Sequence, residues 1–450
     1  MLQKASPSHQ NQPCQNQLGE TMSVQTHGSV KYIDQAPGLD PSGRAPETGE
    51  AEEAESSSES DPTAFFDTED HALARYGVVL RRRAGDDGGW RLLVLEGDGA
   101  WETTMPLLKT APERIPAALL RLLEGVSAGS ELSAVPAPSE LPEEPGPALE
   151  TGAELLTRMI AQLTGELVRW DLKVRLDVPD AVHQMRVTAR SLRSVLKAGK
   201  RFFDDDVVAE IESWLRELGR SLSEARDAEV ALEMLPDRLE ACGDAVGTAF
   251  ADRELAEAEA HLRTTSAAAR RHVGRSEHIA GLARVRSFAA DLPLSEKAGK
   301  LSARKTANKL LKRSLKKTRK AAARSAEFER TGEAADTTAR LVHLHSVRKA
   351  AKRVRYVAAA VDRAGVVPGA WVRSAGEEAK RVQKALGETM DAMVLETWLR
   401  RRAVKLHGSR SDHYALGMLH GAEMERVRAG VEQGADVIRE LLPDSGQDQN

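Results

Sequence analysis

Aromatic side chains make up only 4% of this 450-residue chain, and cysteine occurs just twice, at Cys14 and Cys242. Two cysteines cannot build a disulfide framework or a cysteine-based zinc site, and they fit a reducing compartment. Scarce aromatics beside abundant Ala, Leu, Glu and Arg favour packed helices over a large sheet. No run of about 18 apolar residues occurs, so no membrane span is expected. The start, Met1-Leu2-Gln3-Lys4, lacks the apolar stretch of a secretory signal, and a cytoplasmic location is expected. Standard catalytic signatures are missing too: no Gly-x-x-x-x-Gly-Lys-Ser/Thr phosphate loop, no Gly-x-Ser-x-Gly elbow and no His-Glu-x-x-His metal helix. Neither catalytic residues, nor metal ligands, nor a cofactor are therefore expected, and the chain does not read as an enzyme.

What is present is a sharp charge asymmetry. Residues 1–150 hold 11 Lys or Arg against 25 Asp or Glu, a net of −14, while the remainder holds 53 against 43, a net of +10. An acidic part joined to a basic part points to a polyanion as partner for the latter. Residues 1–62 are polar, end in the Glu- and Ser-rich run Glu47 to Asp61, and are expected to be a disordered tail. From residue 63 to 136 a small α+β segment is predicted. Its strands lie near Tyr76–Arg83 and Trp90–Leu95, with a turn at Gly85–Gly89 and a helix at Pro116–Glu124. Five prolines between Ala134 and Pro147 mark 137–150 as a linker. Residues 151–443 are helical in pattern, with helices predicted at 151–175, 180–202, 205–236, 246–272, 277–290, 296–325, 335–363, 368–407 and 411–442.

The most specific signal is internal. His183-Gln-Met-Arg186-Val-Thr-Ala-Arg190-Ser-Leu-Arg193 recurs as His345-Ser-Val-Arg348-Lys-Ala-Ala-Lys352-Arg-Val-Arg355. In each copy cations follow the histidine at three, seven and ten residues, which places them within an arc of about 80° on a helix. The apolar set Met185, Ala189, Leu192 and Leu196 repeats as Val347, Ala351, Val354 and Ala358 on a separate face, the expected core side. Leu218, Leu222 and Asp227 parallel Val382, Leu386 and Asp391, so the helical part reads as a tandem duplication whose two stripes could meet across a pseudo-twofold axis. Asp227 and Asp391 are read as orienting a neighbouring Arg. A third basic element, Lys297 to Arg324, holds twelve Lys or Arg and no acidic residue. Tyr356 is the only aromatic beside a stripe, which is too few to stack single-stranded bases, so nucleic acid is not the expected partner.

The segments His183 to Val187, Arg190 to Arg193, Arg226-Asp227, His345 to Tyr356 and Lys380-Arg381-Val-Gln-Lys384-Ala-Leu386-Gly387 resemble the signatures of the CHAD family, the conserved-histidine α-helical domain. That resemblance implies two four-helix bundles related by a pseudo-twofold axis. It also implies a basic surface that binds inorganic polyphosphate without catalysis, and association with polyphosphate granules. On this sequence the expected contacts are His183, Arg186, Arg190, Arg193 and Lys197 of the first stripe. From the second come His345, Arg348, Lys349, Lys352, Arg353 and Arg355. Lys305, Lys309, Lys312, Lys316, Lys380 and Lys384 are expected to assist. Upstream, Phe65-Phe66-Asp67-Thr68, Leu73 to Arg83 and Gly89-Trp90 resemble the middle of a CYTH (triphosphate tunnel) domain. The Glu-x-Glu-x-Lys strand of that family and its closing strands are missing here, so a degenerate remnant without hydrolase chemistry is expected. A triphosphate hydrolase that still acts and a nucleic-acid-binding helical module stay open as alternatives.

Overall fold

The computed structural model describes residues 30–34, 63–84, 88–137, 148–203, 205–243, 246–331 and 337–440. The expected disordered tail, apart from residues 30–34, lies outside the described residues, as do residues 85–87 of the expected turn and 138–147 of the expected linker. The protein is mainly helical, with a small antiparallel sheet near its N-terminus.

That sheet comprises β1 (Lys31–Ile33), β2 (Thr63–Asp67), β3 (Val78–Arg83), β4 (Gly89–Glu96), β5 (Gly99–Pro106) and β6 (Ser133–Val135), in the order β1-β5-β4-β3-β2-β6. All neighbours are antiparallel, and among the described residues β1 and β6 are the outer strands and do not pair with each other. The predicted hairpin is present, with Val78 opposite Val94 and Arg83 opposite Gly89. Four strands, β1, β2, β5 and β6, were not foreseen. β5 hides in the mixed sequence Gly-Ala-Trp-Glu-Thr-Thr-Met-Pro, and β1, inside the segment expected to be disordered, pairs Lys31 with Glu102 and Ile33 with Ala100. Glu102 is only 3% exposed and lies 3.2 Å from Lys31 Nζ and 3.4 Å from Arg91 Nη1, so these cations hold a buried carboxylate in the middle of the sheet. Besides a short α1 (Ala72–Arg75), one longer helix, α2 (Ala117–Ser127), completes this unit.

Alternation decides where the sheet packs. Val78, Leu80, Trp90, Leu92 and Val94 share one face and join Leu119, Leu122, Leu123 and Val126 of α2 in a single core. That core runs on without a break into α3 (Gly152–Arg175), through Leu155, Met159, Leu163 and Leu167. A capping box of Thr151 and Glu154 sets the start of α3. The sheet unit is therefore seated on the helical part rather than tethered beside it. At the seam, the buried Asp171 carboxylate accepts from Arg175 Nε at 2.7 Å and lies 2.7 Å from His278 Nε2, while Arg175 Nη1 donates to the Arg121 carbonyl of α2 at 3.3 Å. Burial pushes the Asp171 carboxyl up, but Arg175 and His278 outweigh it and hold the group below its ordinary value. Gly125 of α2 passes so close to this carboxylate that a Cβ there would collide with it.

The helices that follow are α4 (Ala181–Gly199, continued by a 3-10 turn at Lys200–Phe202), α5 (Asp205–Ser221), α6 (Ser223–Ala241), α7 (Thr248–Val273) and α8 (Ser276–Ala290). After them come α9 (Glu296–Gly299), α10 (Ala303–Arg330), α11 (Thr337–Arg363), α12 (Ala370–Ala385), α13 (Gly387–Lys405) and α14 (Arg410–Glu440). Three predicted spans each divide in two: 205–236 at Leu222, 368–407 at Leu386, and 296–325 before Ser302, whose hydroxyl caps α10. The first two breaks fall at paired positions of the repeat and share one conformation, φ −93° and ψ 2° at Leu222 and φ −92° and ψ 0° at Leu386. Pro236, where the prediction stopped, sits inside α6. Leu235 and Leu239 on either side of it are buried in a second apolar cluster formed with α7, α13 and α14, and that burial outweighs the hydrogen bond the proline removes.

Two buried carboxylates flank this second cluster, and each is paired across the halves. Glu254 of α7 accepts from Arg402 of α13 at 2.8 and 3.1 Å, and Glu423 of α14 lies 3.0 Å from Arg238 Nε of α6. Both carboxylates are 0% exposed.

Candidate anion-binding site

The repeated pattern determines both faces of α4 and α11. Met185, Ala189, Leu192 and Leu196 are buried on α4, and Val347, Ala351 and Val354 on α11, which leaves the cationic stripes on the opposite flank. The two helices pack directly against each other, and α10 packs against both. Between them lies a cavity of about 360 Å³. Arg190, Arg193, Ser194 and Lys197 line it from α4, and His345, Arg348, Lys349, Lys352, Arg353 and Tyr356 from α11. Among the described residues, seven Lys or Arg side chains and no carboxylate thus line one space.

The carboxylates stand one layer back. Asp391 of α13 lies 3.9 Å from Arg348 Nη2, and Glu212 of α5 lies 3.6 Å from Lys197 Nζ. Asp391 therefore orients an arginine as expected, but that arginine belongs to the stripe. Asp227 differs from its reading: Arg226 pairs with Glu229 at 3.1 Å instead, and the charges acting most strongly on Asp227 are those of Arg186 and Arg190. Burial nonetheless leaves the Asp227 carboxyl above its ordinary value.

Crowding and burial shape the titration of the cavity. Burial, then the neighbouring Arg348 and Arg190, pushes Lys352 down to about 7, only partly offset by Asp391. Burial, followed by Lys349 and Arg348, lowers His345 to about 4. His183 is likewise lowered to about 4 by burial and then by Arg226, with Arg190 and Lys352 adding to the effect. Both imidazoles are therefore neutral at pH 7 in the free protein, where each carries one N–H donor. Nδ1 of His345 lies 3.4 Å from Met390 Sδ, which leaves Nε2 as its other polar atom.

Several expected contacts do not reach the cavity. Arg186 is 6% exposed and donates through Nη1 to the Leu222 carbonyl at 2.8 Å, so it fastens the break between α5 and α6 and is not a free stripe cation. Burial lowers it to about 10. His183 lies toward the start of α4, beside Arg226 and outside the lining. Arg355 sits next to the cavity, with its guanidinium 5.4 Å from the centre of the Tyr356 ring. Lys305, Lys309, Lys312 and Lys316 of α10 and Lys380 and Lys384 of α12 are exposed and lie outside the lining. On α10, Lys317 feels the charge of the cavity residue Arg353, together with that of Arg313 on its own helix. Arg216 of α5, beside Arg193 and Lys197, was also missed. The buried face of α10, Ala307, Leu310, Leu311, Ser314 and Thr318, contains the signal that would have ranked its lysines by direction.

Among the described residues no group of three or more His, Cys, Asp or Glu side chains could hold a metal ion, and no helix is long and apolar enough to cross a membrane.

Among known proteins, two curated relatives from Mycobacterium tuberculosis are each 30% identical over 393 residues, covering 85% of this chain and 71% of the relative. They are "Uncharacterized protein MT2285" of strain CDC 1551 / Oshkosh and "Uncharacterized protein Rv2226" of strain ATCC 25618 / H37Rv. Two solved structures are also similar. PptA from Streptomyces chartreusis is 22% identical with a TM-score of 0.49, over 64% of this chain and 99% of that one. The CHAD domain from the plant Ricinus communis is 21% identical with a TM-score of 0.49, over 66% and 96%. Residues 158–400 match the family model described as "CHAD domain", which is more than half of the chain. The chain, with its paired His/Arg helices, belongs to the CHAD domain family.

Proposed function

We propose that the protein binds inorganic polyphosphate, without catalysis, in the cavity between α4 and α11. The observation that carries this reading is the convergence of seven Lys or Arg side chains from two repeats of one motif on a space with no carboxylate among its described lining residues. A linear chain of phosphates offers closely spaced negative charge without bases, which matches a site with one aromatic, Tyr356, and many guanidinium forks. Arg190, Arg193, Lys197, Arg348, Lys349, Lys352 and Arg353 are the contacts, with His345 donating a ring N–H. Lys317 and Arg313 of α10 extend the path. In the same reading the two halves form pseudo-twofold-related bundles, the sheet unit is a relic of a triphosphate tunnel domain, and the protein gathers on polyphosphate granules.

The test is titration of the purified protein with long-chain polyphosphate, using tRNA and duplex DNA as competitors. Tight binding that nucleic acid displaces poorly is expected. The charge reversal Arg190→Glu with Lys349→Glu should reduce affinity at least a hundredfold while leaving helical circular dichroism unchanged. Equal displacement by nucleic acid, or full binding by the double variant, would overturn the assignment.

A further inference from the structure

Lys352 lines the cavity among its other cations. Arg348 lies near Asp391 and Lys197 near Glu212, whereas the charges that act on the Lys352 amine are mainly cationic: Arg348 and Arg355 on its own helix and Arg190 on α4, with only Asp391 opposing them. The amine lines a cavity of about 360 Å³, room enough for a small phosphorylated molecule beside it. It thus joins two features that seldom coincide on a lysine, a nearby cluster of phosphate-binding guanidinium groups and an amine held among cations.

From this placement we infer that Lys352 is a site of acylation by small acyl phosphates, captured through their phosphate by the guanidinium groups of Arg190 and Arg348. This inference rests on the cavity being a phosphate site. In the reaction the Nζ lone pair attacks the acyl carbon, an N–C bond forms and the C–O bond to phosphate breaks. Inorganic phosphate departs with the bonding electron pair, and the proton released from nitrogen passes to solvent. The product is a neutral amide. In the free protein burial and neighbouring cations disfavour the ammonium form down to about 7, so this amine gives up its proton near neutral pH more readily than an ordinary surface lysine. Acylation stops the amine from taking up the proton that a bound polyanion draws to it and places an acyl group in the cavity, so it weakens polyanion binding at the same site.

The experiment treats the full-length protein with acetyl phosphate at pH 7.5 and follows acetylation of each lysine by peptide mass spectrometry. Exposed Lys312, Lys316 and Lys380 in the same sample act as internal references. Lys352 should react at least tenfold faster than these three, long-chain polyphosphate should protect it, and the acetylated protein should bind polyphosphate at least fivefold more weakly. With N-acetoxysuccinimide, a donor without phosphate, the preference for Lys352 should shrink. Reaction of Lys352 no faster than Lys312 would overturn the inference, and an equal preference with both donors would overturn phosphate capture. Polyphosphate binding by the untreated protein is measured alongside. If it binds and Lys352 is inert, this inference fails while the functional reading stands. If it does not bind yet Lys352 reacts selectively with acetyl phosphate, the reading fails and the acylation site stands.

Discussion

In the free protein at pH 8 most Lys352 side chains have lost their proton, because burial and the charges of Arg348, Arg190 and Arg355 outweigh Asp391 and bring the group to about 7. A bound polyphosphate supplies the missing negative charge and returns the amine toward its ordinary 10.5. Binding then takes up a proton wherever the pH lies between those two values. The affinity therefore falls as pH rises. With one group moving from 7 to 10.5, the equilibrium constant drops about 50-fold between pH 7 and pH 9, and about 0.9 proton is taken up at pH 8. His183 and His345, at about 4, are neutral in the free protein across this window, and the internal units of polyphosphate, each with one strongly acidic hydroxyl, stay singly ionised throughout it. Lys197 and Lys317 are also lowered by burial, so the wild-type slope alone does not isolate Lys352. Lys352→Arg does, since a guanidinium stays charged throughout and should flatten the profile to within about threefold. Calorimetric titration at constant ionic strength, in buffers of different ionisation enthalpy, reads both affinity and proton uptake. A flat wild-type profile, or an unchanged slope in Lys352→Arg, would refute the reasoning.

Three further outcomes are expected. Raising salt from 50 to 200 mM should weaken polyphosphate binding by about 10²- to 10³-fold, if five to seven of the lining cations release counterions as they do on single-stranded nucleic acid; a loss below tenfold would show that few of them take part. Combined Lys305→Glu, Lys312→Glu and Lys316→Glu should cost less affinity than Arg190→Glu alone, because these lysines lie outside the cavity lining, and competition titrations would settle the order. Arg175→Met should destabilise the fold by about 3–5 kcal/mol, seen as a lower midpoint in urea unfolding, because it leaves the fully buried Asp171 without its strongest counter-charge.

The stripes were legible because helical spacing is a property of sequence: the same offsets from His183 and His345 place cations on one flank and Met185 or Val347 on the other. Which stripe residue meets the ligand was not legible. Arg186 and Arg190 share a flank, yet Arg186 is consumed by the Leu222 carbonyl, a partner 36 residues away that only the packing of α4 on the following helices brings near. The positions of the breaks at Leu222 and Leu386 were not legible, because neither residue is the glycine or proline that marks a helix end. β5 escaped because Glu102, a residue that argues against a strand core, is buried only by virtue of Lys31 and Arg91. On α10 the sequence shows a run of lysines, but their direction depends on which face meets α11.

The crossed pairs Arg238–Glu423 and Arg402–Glu254 set the order of events at the ribosome. Glu254 emerges 148 residues before the arginine that neutralises it, and Arg238 precedes its own carboxylate by 185. Glu254 therefore gains its guanidinium partner only once α13 has been made. The two pairs tie α6 to α14 and α7 to α13, so neither can form in a chain that stops before α13.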